Sequence, residues 1–151
     1  MIKLTDLPVQ RKVYAYILRE GCIKRQLLVF THVDLPEAGI QVPGGSVEIG
    51  EEYKFAAERE VEEETGLKDL LCERKLGEVR RDLRGFGLHE VHHRHYFQFS
   101  CLNCDKDEWI GFEETPSDGS QGPIAFKFFW VDLDSVPVLR AGLDEMLSSL
   151  I

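Results

Sequence analysis

Residues 45–67, GSVEIGEEYKFAAEREVEEETGL, decide how this chain is read. They follow a second glycine, Gly44, and end in a dense acidic run, Glu58, Glu60, Glu62, Glu63 and Glu64. No proline or glycine interrupts residues 51–65, acidic residues crowd the start, and Gly66 stands where a left-handed cap ends a helix. The spacing predicts a helix across this span. At about 100° per residue, Glu60, Glu63 and Glu64 fall within an arc of roughly 100° on one face. Ala56, one turn earlier in the same arc, is expected to leave room there for an ion. Ala57 and Val61 flank the arc and are expected to pack the helix onto a sheet. In water alone such a helix is poorly built: Glu60 with Glu64, and Glu58 with Glu62, are like charges at i,i+4, each pair costing about 0.2–0.5 kcal/mol. A hard divalent cation reverses that penalty, because Mg²⁺ is held by a few carboxylates together with waters and substrate phosphates. The plain alternative for a charge run is a solvated acidic face.

The run is not isolated. From Gly45 the order is five residues, Glu51, seven residues, Arg59-Glu60-Val61, one residue, Glu63-Glu64, one residue, Gly66-Leu67. This arrangement resembles the Nudix box at every fixed position, a far more specific signal than a lone glycine motif. The resemblance implies a Nudix fold, an α+β domain with a mixed β-sheet sandwiched between α-helices (α/β/α), over residues 1–151 as one domain. It implies that Glu60, Glu63 and Glu64 bind divalent ions, Mg²⁺ or Mn²⁺, with the Gly44 carbonyl joining the coordination shell. It implies that Arg59 orients a box glutamate, a task that suits a planar guanidinium, and that Glu51 steadies the loop or the outer metal shell. The implied reaction is attack of water at phosphorus in a nucleoside diphosphate linked to another group, driven by positioning and electrostatics. The alternative class is a non-catalytic Nudix-like module that binds a nucleotide and regulates a partner; such modules commonly lose box carboxylates, and this box is complete.

Composition bounds the remaining classes. A chain of 151 residues suits one domain, burying about 70% of the surface its unfolded form exposes. A net charge of −9 argues against a nucleic-acid duplex as partner, while a polyphosphate is still bindable where metal ions supply positive charge. The start, MIKLTDLPVQ, lacks the apolar core of a signal peptide, and no apolar run reaches the ~18 residues of a membrane span, which points to the cytoplasm. Cys101 and Cys104 have CxxC spacing with no second pair, and Cys22 and Cys72 stand alone. Thiols, a zinc site from converging distant ligands and a redox pair all stay open. So does pairing of two copies as a homodimer.

Outside the box, residues 12–18 and 26–31 read as a hairpin around Glu20-Gly21, and 40–42, 72–81, 90–100 and 124–131 as further strands. Residues 103–123 are polar and glycine-rich, and read as a long loop of the kind that carries function. Leu139, Leu143, Met146 and Leu150 recur at helical spacing and predict a second helix from about Val138 to Leu150. Two clusters compete for roles. On a strand, His93 and His95 point one way and His92, Arg94 and Tyr96 the other; the first two form a His-x-His pair with no evident third metal ligand, and the second three are candidates for phosphate or base contacts. In the long loop, Glu113 and Glu114 are candidates for a general base or an extra metal ligand, in competition with Glu60 of the box. The substrate is legible only by subtraction. ADP-ribose hydrolases of the family tend to carry a proline downstream of the box and diadenosine polyphosphate hydrolases a tyrosine. No proline stands between Leu67 and Pro116 and no tyrosine between Tyr53 and Tyr96, which weakens both readings and keeps a nucleoside triphosphate or a nucleotide-sugar open.

Overall fold

The computed structural model describes residues 3–113 and 123–151. An eight-stranded sheet carries one α-helix. In chain order the elements are β1 (Val9–Glu20), β2 (Arg25–His32), β3 (Ile40–Gln41), β4 (Gly44–Ser46), α1 (Tyr53–Thr65), β5 (Leu70–Asp82), β6 (Val91–Cys101), β7 (Glu108–Glu113) and β8 (Ile124–Asp132). The main order is β5-β6-β1-β2-β8-β7, with β3 paired to β2 and β4 paired to β1. Only β1 and β6 run parallel; the other pairs are antiparallel. The predicted hairpin of β1 and β2 is present, closed by the Gly21 N–H on the Lys24 carbonyl at 2.9 Å.

The pairing of β1 with β2 is short, and that shortness shapes the molecule. They pair only from Leu18↔Leu27 to Glu20↔Arg25. Beyond that the strands splay, β1 pairing instead with β4 at Lys12↔Ser46 to Tyr14↔Gly44, and β2 with β3 at Phe30↔Gln41 and Thr31↔Ile40. The opening between them is where the box residues gather.

Alternation along the strands fills two cores. On one face Val13, Ala15, Ile17, Leu28, Phe97, Phe99, Phe128 and Trp130 pack against Ala56, Ala57 and Val61 of α1. Ala56 is therefore part of the core, and the space beside the carboxylates is made by other means. On the opposite face Tyr16, Leu27, Val29 and Tyr96 pack against Leu139 and Leu143. The sheet thus lies between two layers, as expected of the fold.

Two expected elements differ. The second helix, expected from Val138 to Leu150, does not form; that stretch holds three-residue 3₁₀ turns at Arg140–Gly142 and Leu147–Ser149. Its apolar residues still reach the core, but its backbone groups are taken by the sheet. The Tyr16 hydroxyl donates to the Leu143 carbonyl at 2.5 Å and accepts from the Met146 N–H at 3.2 Å, and Arg94 Nη1 donates to the Ala141 carbonyl at 2.8 Å. Ala141 and Gly142 sit at φ of 52° and 71°, which no α-helix accommodates. The segment read as a long loop contains β7, hidden from sequence reading because Glu108, Gly111 and Glu113 are poor strand formers. Among the described residues, no helix is long and apolar enough to cross a membrane.

The turn at Gly142 is testable. A Cβ there would press into the Arg81 guanidinium as well as strain the backbone. Gly142→Ala is expected to lower unfolding free energy by about 1–3 kcal/mol, read from urea melts; an unchanged midpoint would mean that the C-terminal layer rebuilds itself without this turn.

Candidate functional site

Helix α1 is held at both ends. Gly66 closes it in the left-handed conformation at φ 76°, its N–H on the Glu62 carbonyl. The Thr65 hydroxyl donates to the Val61 carbonyl at 2.6 Å, and Trp109 Nε1 on β7 donates to the Thr65 carbonyl at 3.0 Å. Gly111 lets β7 approach closely, since a Cβ there would fall 2.8 Å from Phe128 and 3.0 Å from the Glu64 carbonyl. At the other end, two glycines clear the way for the carboxylates. A Cβ on Gly45 would collide with the Glu60 carboxylate, and one on Gly44 with the Tyr14 ring and the Val13 carbonyl. The room beside Glu60 thus comes from Gly45.

Arg59 organises what lies between. Its Nε and Nη2 grip the Glu51 carboxylate at 2.7 and 2.9 Å, Nη1 reaches Glu60 at 2.9 Å and Glu63 at 3.3 Å, and Nη2 also donates to the Ser46 carbonyl at 3.1 Å. The bidentate partner is Glu51 rather than a glutamate of the acidic run. The Arg59 fork holds the Glu51 carboxyl down at about 2, helped by the Glu48 backbone N–H. Glu51 is thereby a fixed anion that locks the loop before α1 to the helix.

The cavity that opens between the splayed strands measures about 680 Å³ and is lined by both glycines, Ser46, Glu60, Glu63, Glu64 and Glu113. Among the described residues its five carboxylates, Glu48 included, share the cavity with two cations, Lys12 and Arg59. Burial raises the Glu64 carboxyl well above the ordinary range, and the charges of Glu113 and Glu60 push the same way; a hydrogen bond from the Gly44 backbone offsets part of this. Burial likewise raises Glu60, against the pull of Arg59. Glu64 Oε1 is buried without a hydrogen-bond partner. An orphaned carboxylate oxygen among like charges is what an oxygen-seeking divalent cation satisfies, so the donor set fits Mg²⁺ or Mn²⁺.

Other groups of the cavity were not singled out from sequence. Lys12 Nζ donates to Ser46 Oγ at 2.8 Å, and burial lowers its pKa against the raising effect of Glu90, Glu60 and Glu113. A lysine placed inward on a central strand was the available signal. His32, with Nδ1 buried and unpartnered, sits edge-on to Phe126 at 5.5 Å; Phe30, Phe112 and Ile124 add apolar surface to the same cavity. Glu113, the last residue of β7, lines the cavity, while Glu114 lies outside the described residues.

The remaining candidates lie elsewhere. Arg94 and Tyr96 are buried toward the C-terminal layer, where both donate to the Glu145 carboxylate, and His92 pairs with Glu90 at 2.7 Å. None of the three lines the cavity. Cys101 and Cys104 are joined as a disulfide, and Cys22 and Cys72 are free and apart from it.

Comparison with known proteins agrees with this architecture. The chain belongs to the NUDIX domain family, whose model matches residues 8–150. An RNA pyrophosphohydrolase of Rhodospirillum rubrum is 32% identical to it over 135 residues, covering 83% of this chain and 78% of that protein. Among solved structures, the C. elegans Ap4A hydrolase binary complex superposes with a TM-score of 0.65 at 18% identity, covering 93% of each chain. A MutT protein from Methanosarcina mazei Go1 gives 0.65 at 20% identity, covering 95% of this chain and 93% of that one. At these identities the structural likeness shows the fold alone.

The raised Glu64 carboxyl has a stability consequence. A folded-state pKa above the unfolded value of 4.5 brings stability that is complete below 4.5 and is lost as pH rises through the folded value. In EDTA, the melting temperature of the parent should therefore fall, relative to Glu64→Gln, between mildly acidic and neutral pH, by about 2–4 °C per kcal/mol. Parallel curves would show that this carboxyl is not desolvated.

Proposed function

We propose that this chain is a divalent-metal-dependent pyrophosphohydrolase that cleaves a phosphoanhydride of a nucleoside diphosphate linked to another group, with a nucleoside triphosphate or nucleotide-sugar as the substrate class. The observation that carries the reading is the buried, unpartnered Glu64 oxygen in a cavity shared with Glu60, Glu63 and Glu113. Glu60, Glu63 and Glu64, with the Gly44 carbonyl, would hold Mg²⁺ or Mn²⁺. When bound there, the metal would offset the pyrophosphate charge and polarise an attacking water.

The chain's own residues do the rest. Arg59, itself on the cavity wall, keeps the Glu60 carboxylate aimed by holding one of its oxygens, anchored in turn by Glu51. Lys12 contributes a cationic donor from the cavity wall to a phosphate oxygen that arrives beside it. The apolar wall of Phe30, Phe112, Ile124 and Phe126 receives the flat base or another uncharged part of the ligand. Glu113 takes the proton of the attacking water, since it faces the same cavity from a different strand and is electrostatically coupled to Glu60 and Glu64. Glu60 is the competing base.

The name of the bacterial relative adds the 5′-polyphosphate end of a single-stranded RNA to the substrates to be screened. The acidic surface still disfavours a duplex.

Four measurements test this reading. In a screen across nucleoside di- and triphosphates, nucleotide-sugars, dinucleotides and 5′-triphosphorylated RNA, EDTA should abolish hydrolysis and Mg²⁺ or Mn²⁺ restore it. Glu64→Gln should lower kcat by about 10²–10³-fold with the fold intact. No turnover of any substrate with metal present would favour a nucleotide-binding regulatory module.

Arg59→Lys, whose ammonium cannot grip Glu51 bidentately while reaching Glu60, should cost about 10–100-fold in activity. Parent-like kinetics would leave Arg59 as a merely structural tie.

For the base, the pH–rate profile of Glu113→Gln is compared with the parent. Loss of the basic-catalysis limb at unchanged metal affinity assigns the role to Glu113, and an unchanged profile returns it to Glu60.

A further inference from the structure

A second cluster of metal-ligating groups lies outside the carboxylate cavity. On β6, His93 and His95 occupy alternate positions of one face, and the β5 register sets Glu78 directly across from His95. Their ligand atoms all lie within 4.8 Å of one another. Here Glu78 is the third group that a His-x-His pair requires, and only strand pairing supplies it. We propose that Glu78, His93 and His95 form a binding site for a transition-metal dication of the Zn²⁺ class, distinct from the oxygen-only site of the box glutamates.

The distances suit such an ion. Zn–N and Zn–O lengths of about 2.0–2.2 Å put neighbouring tetrahedral ligands about 3.3 Å apart. Glu78 faces both imidazoles, Oε1 at 2.8 Å from His93 Nε2 and Oε2 at 3.7 Å from His95 Nδ1, so a small turn of its half-exposed carboxylate brings one oxygen to a shared ion. Two imidazoles and one carboxylate favour Zn²⁺, Co²⁺ or Ni²⁺ over Mg²⁺, and leave a fourth position for water.

A cation already occupies the place. Lys75 Nζ lies 2.9 Å from His95 Nδ1 and 3.0 Å from Glu78 Oε2. An ammonium only donates, so His95 Nδ1 must present its lone pair toward this point, with the ring proton on Nε2. That tautomer is the one a metal at Nδ1 requires. The His95 ring is also held in orientation by Tyr53, stacked on it with centroids 3.6 Å apart. His93 would ligate through Nε2 in its Nδ1–H form, giving up its present contact with Glu78. Lys75 is partly exposed, at 36% of its side-chain surface, and can swing into solvent when displaced. Half-exposed Glu78 provides the entry path.

The discriminating experiment titrates Zn²⁺ into metal-stripped protein by calorimetry, with Mg²⁺ saturating so that the box carboxylates are occupied. The parent should bind one Zn²⁺, with a rise in melting temperature. His93→Ala and Glu78→Gln should each weaken binding at least tenfold and leave Mg²⁺-dependent hydrolysis unchanged. Lys75→Met removes the competing ammonium and should tighten binding at least tenfold, a gain that misfolding cannot mimic. Zn²⁺ affinity unchanged by His93→Ala, or no tightening in Lys75→Met, would overturn the proposal. Co²⁺ in place of Zn²⁺ should give visible d–d bands in the parent that His93→Ala lacks; equal bands in both would place the ion elsewhere.

Discussion

Most of the candidate site depends on one guanidinium. Arg59 is the only side chain that touches the end of β4, the anion Glu51 before the helix, and two carboxylates of the helix itself among the described hydrogen bonds. A planar fork can do this because its five donors point in fixed directions, and a flexible ammonium cannot. By occupying one side of Glu60 and Glu63 with positive charge, Arg59 offsets repulsion that would otherwise splay them. Glu64 lies beyond its reach and is left buried, raised in pKa and unpartnered. The helix thus brings to one cavity both the carboxylates that Arg59 compensates and one, Glu64, that it leaves frustrated. Local conflict concentrated at one place, in a sequence otherwise consistent with its fold, is what a functional site produces.

The cavity itself is a consequence of the sheet. Were β1 and β2 paired along their full length, no space would exist beside Gly44 and Gly45. Their separation after three residue pairs admits β3 and β4 as short inner strands, and the side chains of Lys12, Tyr14, Phe30 and His32 then face a gap instead of one another. Glycine is required at positions 44 and 45 for a related reason: β4 runs so close to Tyr14 and to Glu60 that a single methyl group does not fit. Carboxylates and aromatic rings line the same cavity, so charged and flat parts of one ligand both find partners there.

Much of this was readable before any coordinates. The helix with its glycine cap and six of the strand segments follow from local rules of period, propensity and cap chemistry, while the pairing of Arg59 with a glutamate followed from the resemblance of the box. The failures share a cause. Residues 138–150 carry helical spacing, yet the segment turns at Ala141 and Gly142 because Tyr16, Arg94 and their neighbours bind its carbonyls and N–H groups from the sheet. Residues 108–113 have weak strand propensity, yet they pair with β8 because Trp109 and Gly111 fit the end of α1. Tertiary hydrogen bonding outweighed propensity in both. Arg94 and Tyr96, plausible ligand contacts on a polar strand, are instead satisfied by Glu145, a partner about 50 residues away along the chain.

By itself, the sequence determined the family, the helix with its carboxylate face and the need for a glycine on either side of it, because these depend on residues within one or two turns of each other. Tertiary structure decided which groups meet across the chain. It brought Lys12 and Glu113 to the same cavity as Glu60 and Glu64, gave Glu51 rather than a helix glutamate the bidentate hold of Arg59, and set Glu78 opposite His95. The physical reason is one of range. Periodicity and capping act over a few residues and leave a local trace, whereas burial, strand register and the electrostatics of a closed cavity depend on neighbours that are distant in sequence and become neighbours only when the sheet assembles.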